Sequence, residues 1–301
     1  MTAIDRRALL AGTAAALAAT TLPARAAPHS FKHGAFEITV VSDGHILLPT
    51  SLLASQAPDA ERAAVLAEAG QTAEQYQSPT NVTLIRAGSE VILVDAGGGP
   101  RFVPTTGKLI DNLEAAGVDR EAVTMVIFTH GHPDHLWGVT DDLDEITFPK
   151  ARYLISATEH DFWHRADAAK SLPEERAGFV TGARRNLARI EDKLTRFKAG
   201  DEIVSGIRAI DTAGHTQGHV SLELAGGLMV LGDALTHPII SFRHPDWRPA
   251  ADHEPERAIA TRRTLLDRLA AEKLRVIGYH LPYPGTGFVE RKDNAWRFVA
   301  E

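Results

Sequence analysis

The stretch T-H-G-H-P-D-H places three histidines and an aspartate within six positions, His130 to His135, directly after the apolar run Met125-Val126-Ile127-Phe128. A run of that kind reads as a buried strand. The polar cluster therefore starts where the strand ends and the backbone is free to turn. Imidazole nitrogen and carboxylate oxygen are the donors that zinc and similar ions take, and catalytic sites leave a position open for water. His130 and His132 can converge on one ion while Asp134 and His135 turn toward a second. So short a segment cannot complete two coordination spheres, and the rest of the chain has to supply more.

It does so at three further strand ends. His215 lies in T-A-G-H-T-Q-G-H, Asp233 in V-L-G-D-A and His280 in V-I-G-Y-H-L-P, each after an apolar run. Five histidines and two aspartates suit two divalent ions with one bridging carboxylate. His219 reads as a residue that steadies the His215 loop. Asp95, in V-D-A-G-G-G, either orients a ligand histidine or caps a turn, and Gly97 to Gly99 read as a tight turn.

The order of strands and helices predicts a layered α/β protein. Strands are expected over residues 36–44, 81–88, 90–99, 124–128, 152–156, 202–211, 220–224, 228–231 and 274–278, with a hairpin turn at Gly88-Ser89. Residues 45–58 read as a loop. Helices are expected over 60–69, 108–116, from about 158, over 174–193 as a charged insertion, and over 255–273.

Composition excludes several classes. Lys plus Arg number 32 against 39 Asp plus Glu, a formal charge of −7, and no basic run is present that could neutralise a nucleic-acid backbone, which argues against a general nucleic-acid binder. The 301 residues include no cysteine, which removes disulfides, thiolate-bound zinc and a cysteine nucleophile together. Residues 1–26 read as an export signal. Arg6 and Arg7 precede a weakly apolar, Ala-rich run, and a small-x-small site follows at Ala24-Arg25-Ala26. The run is too short and Ala-rich for stable membrane insertion. Residues 27–301 would then be a single periplasmic or secreted domain.

The series H-G-H-P-D-H, G-H-T-x-G-H, G-D and a late histidine resembles the metallo-β-lactamase superfamily over nearly the whole mature chain. The resemblance implies an αββα sandwich with both ions at one edge between the sheets. By the same resemblance His130, His132 and His215 would hold the first ion, Asp134, His135 and His280 the second, and Asp233 would bridge them. The ions would be zinc, with manganese, cobalt or iron also suited to these donors. Two ions sharing one water hold it as hydroxide near neutral pH, and Asp134 or Asp233 would carry the proton to the leaving group.

H-L-P-Y-P-G-T-G from His280, the closing N-A-W-R-F-V, and E-H-D-F-W at Glu159 to Trp163 resemble the branch of methyl parathion hydrolase and related lactonases. That implies a small hydrophobic substrate: an acyl-homoserine lactone opened by a bridging hydroxide, or alternatively a phosphotriester or aryl ester. Leu48, Trp163 and Phe242 are the expected pocket walls, and the loop from Gly44 to Leu53 is an expected apolar lid and homodimer contact. Lactonases of the superfamily often set a tyrosine over the metals. Tyr279 and Tyr283 flank His280 here without a matching motif.

Overall fold

A computed structural model describes residues 27–301 except Ala69 and Ala73, so the export-signal reading of residues 1–26 lies outside the described residues. Two seven-stranded sheets face each other. The first runs in chain order through β1 (His29–His33), β2 (Phe36–Pro49), β3 (Gln75–Ala87), β4 (Glu90–Val94), β5 (Met125–Ile127), β6 (Arg152–Ser156) and β7 (Leu194–Phe197). The second comprises β8 (Glu202–Val204), β9 (Ile207–Asp211), β10 (Val220–Leu224), β11 (Leu228–Val230), β12 (Arg275–Ile277), β13 (Thr286–Lys292) and β14 (Ala295–Ala300), again with sequential neighbours.

The two-residue alternation of the strands sorts their side chains into separate cores. On β4, Ile92 and Val94 face the second sheet while Leu93 faces outward. On β5, Met125 and Ile127 face inward and Val126 outward. The inner layer is completed by Ile207, Ala209, Leu222, Leu228, Val230 and Ile277.

Each outer face is covered by helices. Over the first sheet lie α2 (Leu109–Ala115), α3 (Pro133–Leu136), α4 (Ala157–His164) and α5 (Ala177–Ile190), contributing Leu113, Leu136, Phe162 and Leu187. Over the second lie α6 (Ile240–Arg243) and α7 (Pro255–Glu272), contributing Phe242, Leu265, Leu266 and Leu269. A remaining helix, designated α1 (Asp59–Glu68), packs with the loop after β2. The result is the expected αββα layering. A fully buried Leu or Ile is worth about 1.5–3 kcal/mol, so three apolar layers can stabilise this cysteine-free chain.

Several local expectations change. β2 does not end at Gly44 but continues to Pro49, paired with β3 as far as Gln75. Its register shifts between Ser42 and Gly44, where Gly44 adopts φ +112° and a Cβ would meet the Thr105 carbonyl oxygen at 2.0 Å. That bulge lets a glycine sit inside a strand that otherwise reads as interrupted. The expected strand 202–211 is a hairpin, β8–β9, folded at Ser205-Gly206. The charged segment 174–193 packs on one side of the fold as expected, with Val180, Ala183, Leu187 and Ile190 of α5 in the outer core of the first sheet. The closing hairpin β13–β14 was not expected as strands.

The sheets position the site by their polarity. β4, β5 and β6 are mutually parallel, as are β11 and β12. β9 is antiparallel to β10, which is antiparallel to β11, so β9 and β11 share a direction. Loops leaving the C-terminal ends of β4, β5, β9, β11 and β12 carry Asp95, the 130–135 stretch, His215, Asp233 and His280. Main-chain bonds then join one sheet's loops to the other: Val220 N–H donates to the Thr129 carbonyl at 3.0 Å and Asn81 N–H to that of Tyr279 at 2.9 Å.

Candidate metal centre

Seven side chains from these loops converge in two groups that share Asp233. One comprises His130, His132, His215 and Asp233, and the other Asp134, His135, Asp233 and His280. Each residue offers one donor atom within 4.8 Å of the others in its group. In the first, His132 Nδ1 lies 3.0 Å from His130 Nε2 and 2.9 Å from His215 Nε2, and His215 Nε2 lies 3.3 Å from Asp233 Oδ2. In the second, His135 Nε2 is 3.3 Å from Asp134 Oδ2 and 3.2 Å from Asp233 Oδ1, while His280 Nε2 is 3.2 Å from both Asp134 Oδ2 and Asp233 Oδ2. The local sequence explains the reversal of the chain: Pro133 opens the single turn of α3, and that turn carries Asp134 and His135.

The outward-facing nitrogens are held by acceptors. His135 Nδ1 donates to Asp95 Oδ2 at 2.8 Å, His280 Nδ1 to the Pro79 carbonyl at 2.7 Å and His215 Nδ1 to Asp252 Oδ1 at 3.2 Å. His130 Nδ1 donates to Thr129 Oγ1 at 3.0 Å, and that hydroxyl donates to Asp95 Oδ2 at 2.9 Å. A proton on the outer nitrogen leaves the converging nitrogen with its lone pair free. Among the described residues, the buried atoms Asp134 Oδ2, His135 Nε2 and Asp233 Oδ1 find no hydrogen-bond partner. Lone pairs and carboxylate oxygens crowded together without donors are what a pair of divalent cations would satisfy, so the residues present fit the group that the sequence implies.

The electrostatics divide the ligands: some imidazoles are held neutral, and others are held cationic by the carboxylates, with a proton that a bound cation would displace. Burial, reinforced by neighbouring imidazoles, holds His130 and His132 well below the ordinary histidine value, in the neutral form a metal requires. Burial alone would also lower His135 and His280, but the adjoining carboxylates outweigh it. They hold His135 well above its usual value and His280 at about 10. Burial would raise Asp134, yet the His135 and His280 imidazoles hold it below the carboxylate range.

Asp95 orients a ligand histidine, the first of its two readings, from a backbone at φ +68°. His219 steadies the His215 loop and also acts on Asp233: its Nδ1 donates to Thr212 Oγ1 at 2.8 Å, where that loop begins, and its Nε2 accepts the Asp233 N–H at 2.9 Å. The pocket-wall expectation needs correction. Trp163 and Phe242 are 0% and 1% exposed, so neither presents a face to a substrate. Trp163 lies behind the His132 loop and donates from Nε1 to Glu159 at 2.8 Å, and Phe242 packs on Phe298 under the second sheet. Leu48 is partly buried beside the cluster of Leu53, Leu66, Tyr76 and Ile240, on a strand and not a lid loop. Phe179, partly buried, lies 6.1 Å from the His132 ring.

Glu159, in the E-H-D-F-W stretch, has a role that its own segment does not announce. One carboxylate oxygen accepts from Gly131 N–H and Trp163 Nε1, the other from Thr216 Oγ1 and Gly218 N–H, at 2.7–2.9 Å. It ties the loop carrying His130 and His132 to the loop carrying His215. Gly131 and Gly218 are required by this closeness, since a Cβ would meet Trp163 Nε1 at 2.2 Å and Glu159 N at 2.1 Å respectively. Asp252 and His253, behind the first group, gave no sequence signal beyond being polar residues ahead of a helix. All four tyrosines give their hydroxyls to main-chain carbonyls: Tyr76 to His280, Tyr153 to Phe148, Tyr279 to Asp134, and Tyr283 to Ala27 and Val40.

Residues 76–280 match the family model of the metallo-beta-lactamase superfamily. The chain is 30% identical to the uncharacterized protein YobT of Bacillus subtilis over 157 residues, which is 52% of this chain and 62% of that relative, less than two thirds of its length. Among solved structures it is similar to AidC, a dizinc quorum-quenching lactonase in complex with a product. That likeness is 29% identical with TM-score 0.87 over 91% of this chain and 97% of the other. It is also similar to the hydrolase AbOPH of the beta lactamase superfamily, at 27% identity and TM-score 0.84 over 92% and 98% of the two chains.

Proposed function

The chain belongs to the metallo-β-lactamase superfamily and is a metal-dependent hydrolase, and on that premise we propose that it opens lactone rings of the acyl-homoserine type with two zinc ions. The observation that carries the two-metal reading is the pair of donor groups sharing Asp233, each imidazole but His132 fixed from behind by a protein oxygen. The lactone reading is supported by the likeness to AidC over nearly the full chain.

When bound, two such ions supply a water that is nucleophilic near neutral pH and a Lewis acid for the carbonyl oxygen. The protein's own groups do the rest. His219 fixes the main chain of Asp233, so that both its carboxylate oxygens face inward. Asp134 turns its Oδ2 toward His135 and His280 Nε2 at 3.3 and 3.2 Å, and from there it would accept the proton shed by the attacking water and return it to the ring oxygen. No tyrosine competes for that role, because each phenol is already committed to a carbonyl.

The deciding experiment compares kcat/KM for a long-chain acyl-homoserine lactone and an aryl phosphotriester on metal-quantified protein, with a chelated control. A lactone value far above the phosphotriester value supports the proposal. The reverse ranking sinks it in favour of a phosphotriesterase or aryl esterase, and undiminished turnover after chelation would sink the metal reading.

A further inference from the structure

His132 differs from its partners in how it meets the site. The other imidazoles of the two groups converge through Nε2, whereas His132 converges through Nδ1. Its proton therefore sits on Nε2, which points away from the converging donors. Among the described residues no oxygen receives it. The atom in reach is His253 Nε2 at 3.1 Å, with the two rings edge to face at 5.0 Å. Trp163 and Phe162 pack against the His253 ring at 5.8 and 5.1 Å between centroids, which leaves it little freedom to turn.

The neighbour of His253 does the same for a second ligand. Asp252 Oδ1 takes the His215 Nδ1 proton at 3.2 Å, and its Oδ2 is held by the buried guanidinium of Arg262 at 2.8 Å. The main chain is tied to the same loop, since His253 N–H donates to the His215 carbonyl and Glu254 N–H to that of Gly214, both at 2.9 Å. Arg262 Nε and Arg176 anchor the preceding turn through the Pro245 and Ala250 carbonyls. No contact of this kind reaches the second group, whose outer nitrogens rest on Asp95 and Pro79.

We propose that the Asp252-His253 dipeptide is a positioning device for the first metal position alone, with His253 Nε2 fixing the tautomer and ring angle of His132. The inference rests on the two-metal reading and adds an asymmetry to it. The two positions are held from different parts of the chain, and the first depends on a loop outside every sequence motif that announces the site. Removing the partner of a metal-ligating histidine weakens metal affinity about 10–100-fold, and here the loss should fall on one ion of two.

The test is cobalt titration of the full-length, metal-stripped protein, read by visible absorption and by bound-metal stoichiometry after dialysis. The unmodified protein is expected to take up two cobalt ions. His253→Phe, which keeps the bulk and removes the acceptor, is expected to retain one, with the other affinity about 10–100-fold weaker. His253→Gln can set an amide oxygen where Nε2 stood and should recover most of that affinity, whereas His253→Asn, whose oxygen falls short of it, should not. If His253→Phe does not fold, as judged by circular dichroism, the Gln and Asn variants decide alone.

Equal affinities in the Gln and Asn variants, or equal weakening of both positions, would overturn the inference while leaving the two-metal reading standing. Uptake of fewer than two ions by the unmodified protein would overturn both.

Discussion

At the residue scale, Glu159 shows how a buried carboxylate can be satisfied by neutral donors. Four N–H or O–H groups point at it, two per oxygen. Burial still pushes its pKa up, and the donors pull it back. Glu159→Gln replaces one acceptor oxygen with an NH2 that faces two donors, whichever way the amide turns. Leaving buried donors unpaired costs about 1–3 kcal/mol each. The expected loss is therefore a few kcal/mol in urea unfolding, with weaker retention of the ion between His130, His132 and His215. A variant as stable as the parent, with metal content intact, would show that Glu159 only fills space.

At the scale of the element, α6 is a short helix whose start depends on one neutral imidazole. His237 Nδ1 accepts the N–H groups of Ile239 and Ile240 at 3.2 and 3.0 Å, and its Nε2 donates to Gln71 Oε1 at 2.9 Å. Burial lowers its pKa to about 3. The folded state therefore resists a proton that the unfolded chain accepts near the ordinary value of about 6.5. The sign follows: this contribution is complete above about pH 6.5 and is lost as pH falls from there toward 3. The slope is about 1.4 kcal/mol per pH unit for one proton. His237→Asn keeps an acceptor near Nδ1 and cannot titrate. It should lose less stability than the parent between pH 7.5 and 5, by about 2 kcal/mol in denaturant titrations at the two pH values. Identical pH dependence in the two proteins would refute this.

Over the whole molecule, the two sheets are joined on one edge by the same loops that carry the candidate ligands. Metal ions binding there would bind the folded state only. At free metal a hundredfold above the dissociation constant, each site adds about 2.7 kcal/mol. For a chain of this size 1 kcal/mol moves Tm by about 2–4 °C, so chelation should lower Tm by about 10 °C or more if both sites are filled. Calorimetry with and without chelator measures it directly. An unchanged Tm would mean that the edge is held by its protein contacts alone, Val220 to Thr129 and Asn81 to Tyr279 among them.

The seven converging residues and the layered class were legible before any fold was known, because both are written in local order. A buried strand announces itself by an apolar run, and a ligand at its end by a polar residue that the run does not explain. The hairpin at Gly88-Ser89 and the turn at Gly97 to Gly99 were legible for the same reason, each being decided within a few residues.

What stands behind the site emerged from long-range packing. His132 meets His253 across 121 positions, His215 meets Asp252 across 37, and Glu159 reaches Thr216 across 57. Trp163 was expected as a pocket wall from the resemblance of E-H-D-F-W to a branch with a pocket-lining tryptophan, but its indole N–H donates to Glu159 in the interior. Such contacts join residues whose types are ordinary in their own segments. Which of them come within hydrogen-bonding distance is settled by the packing of whole layers, since burial makes an unpaired polar group costly wherever the fold happens to place it.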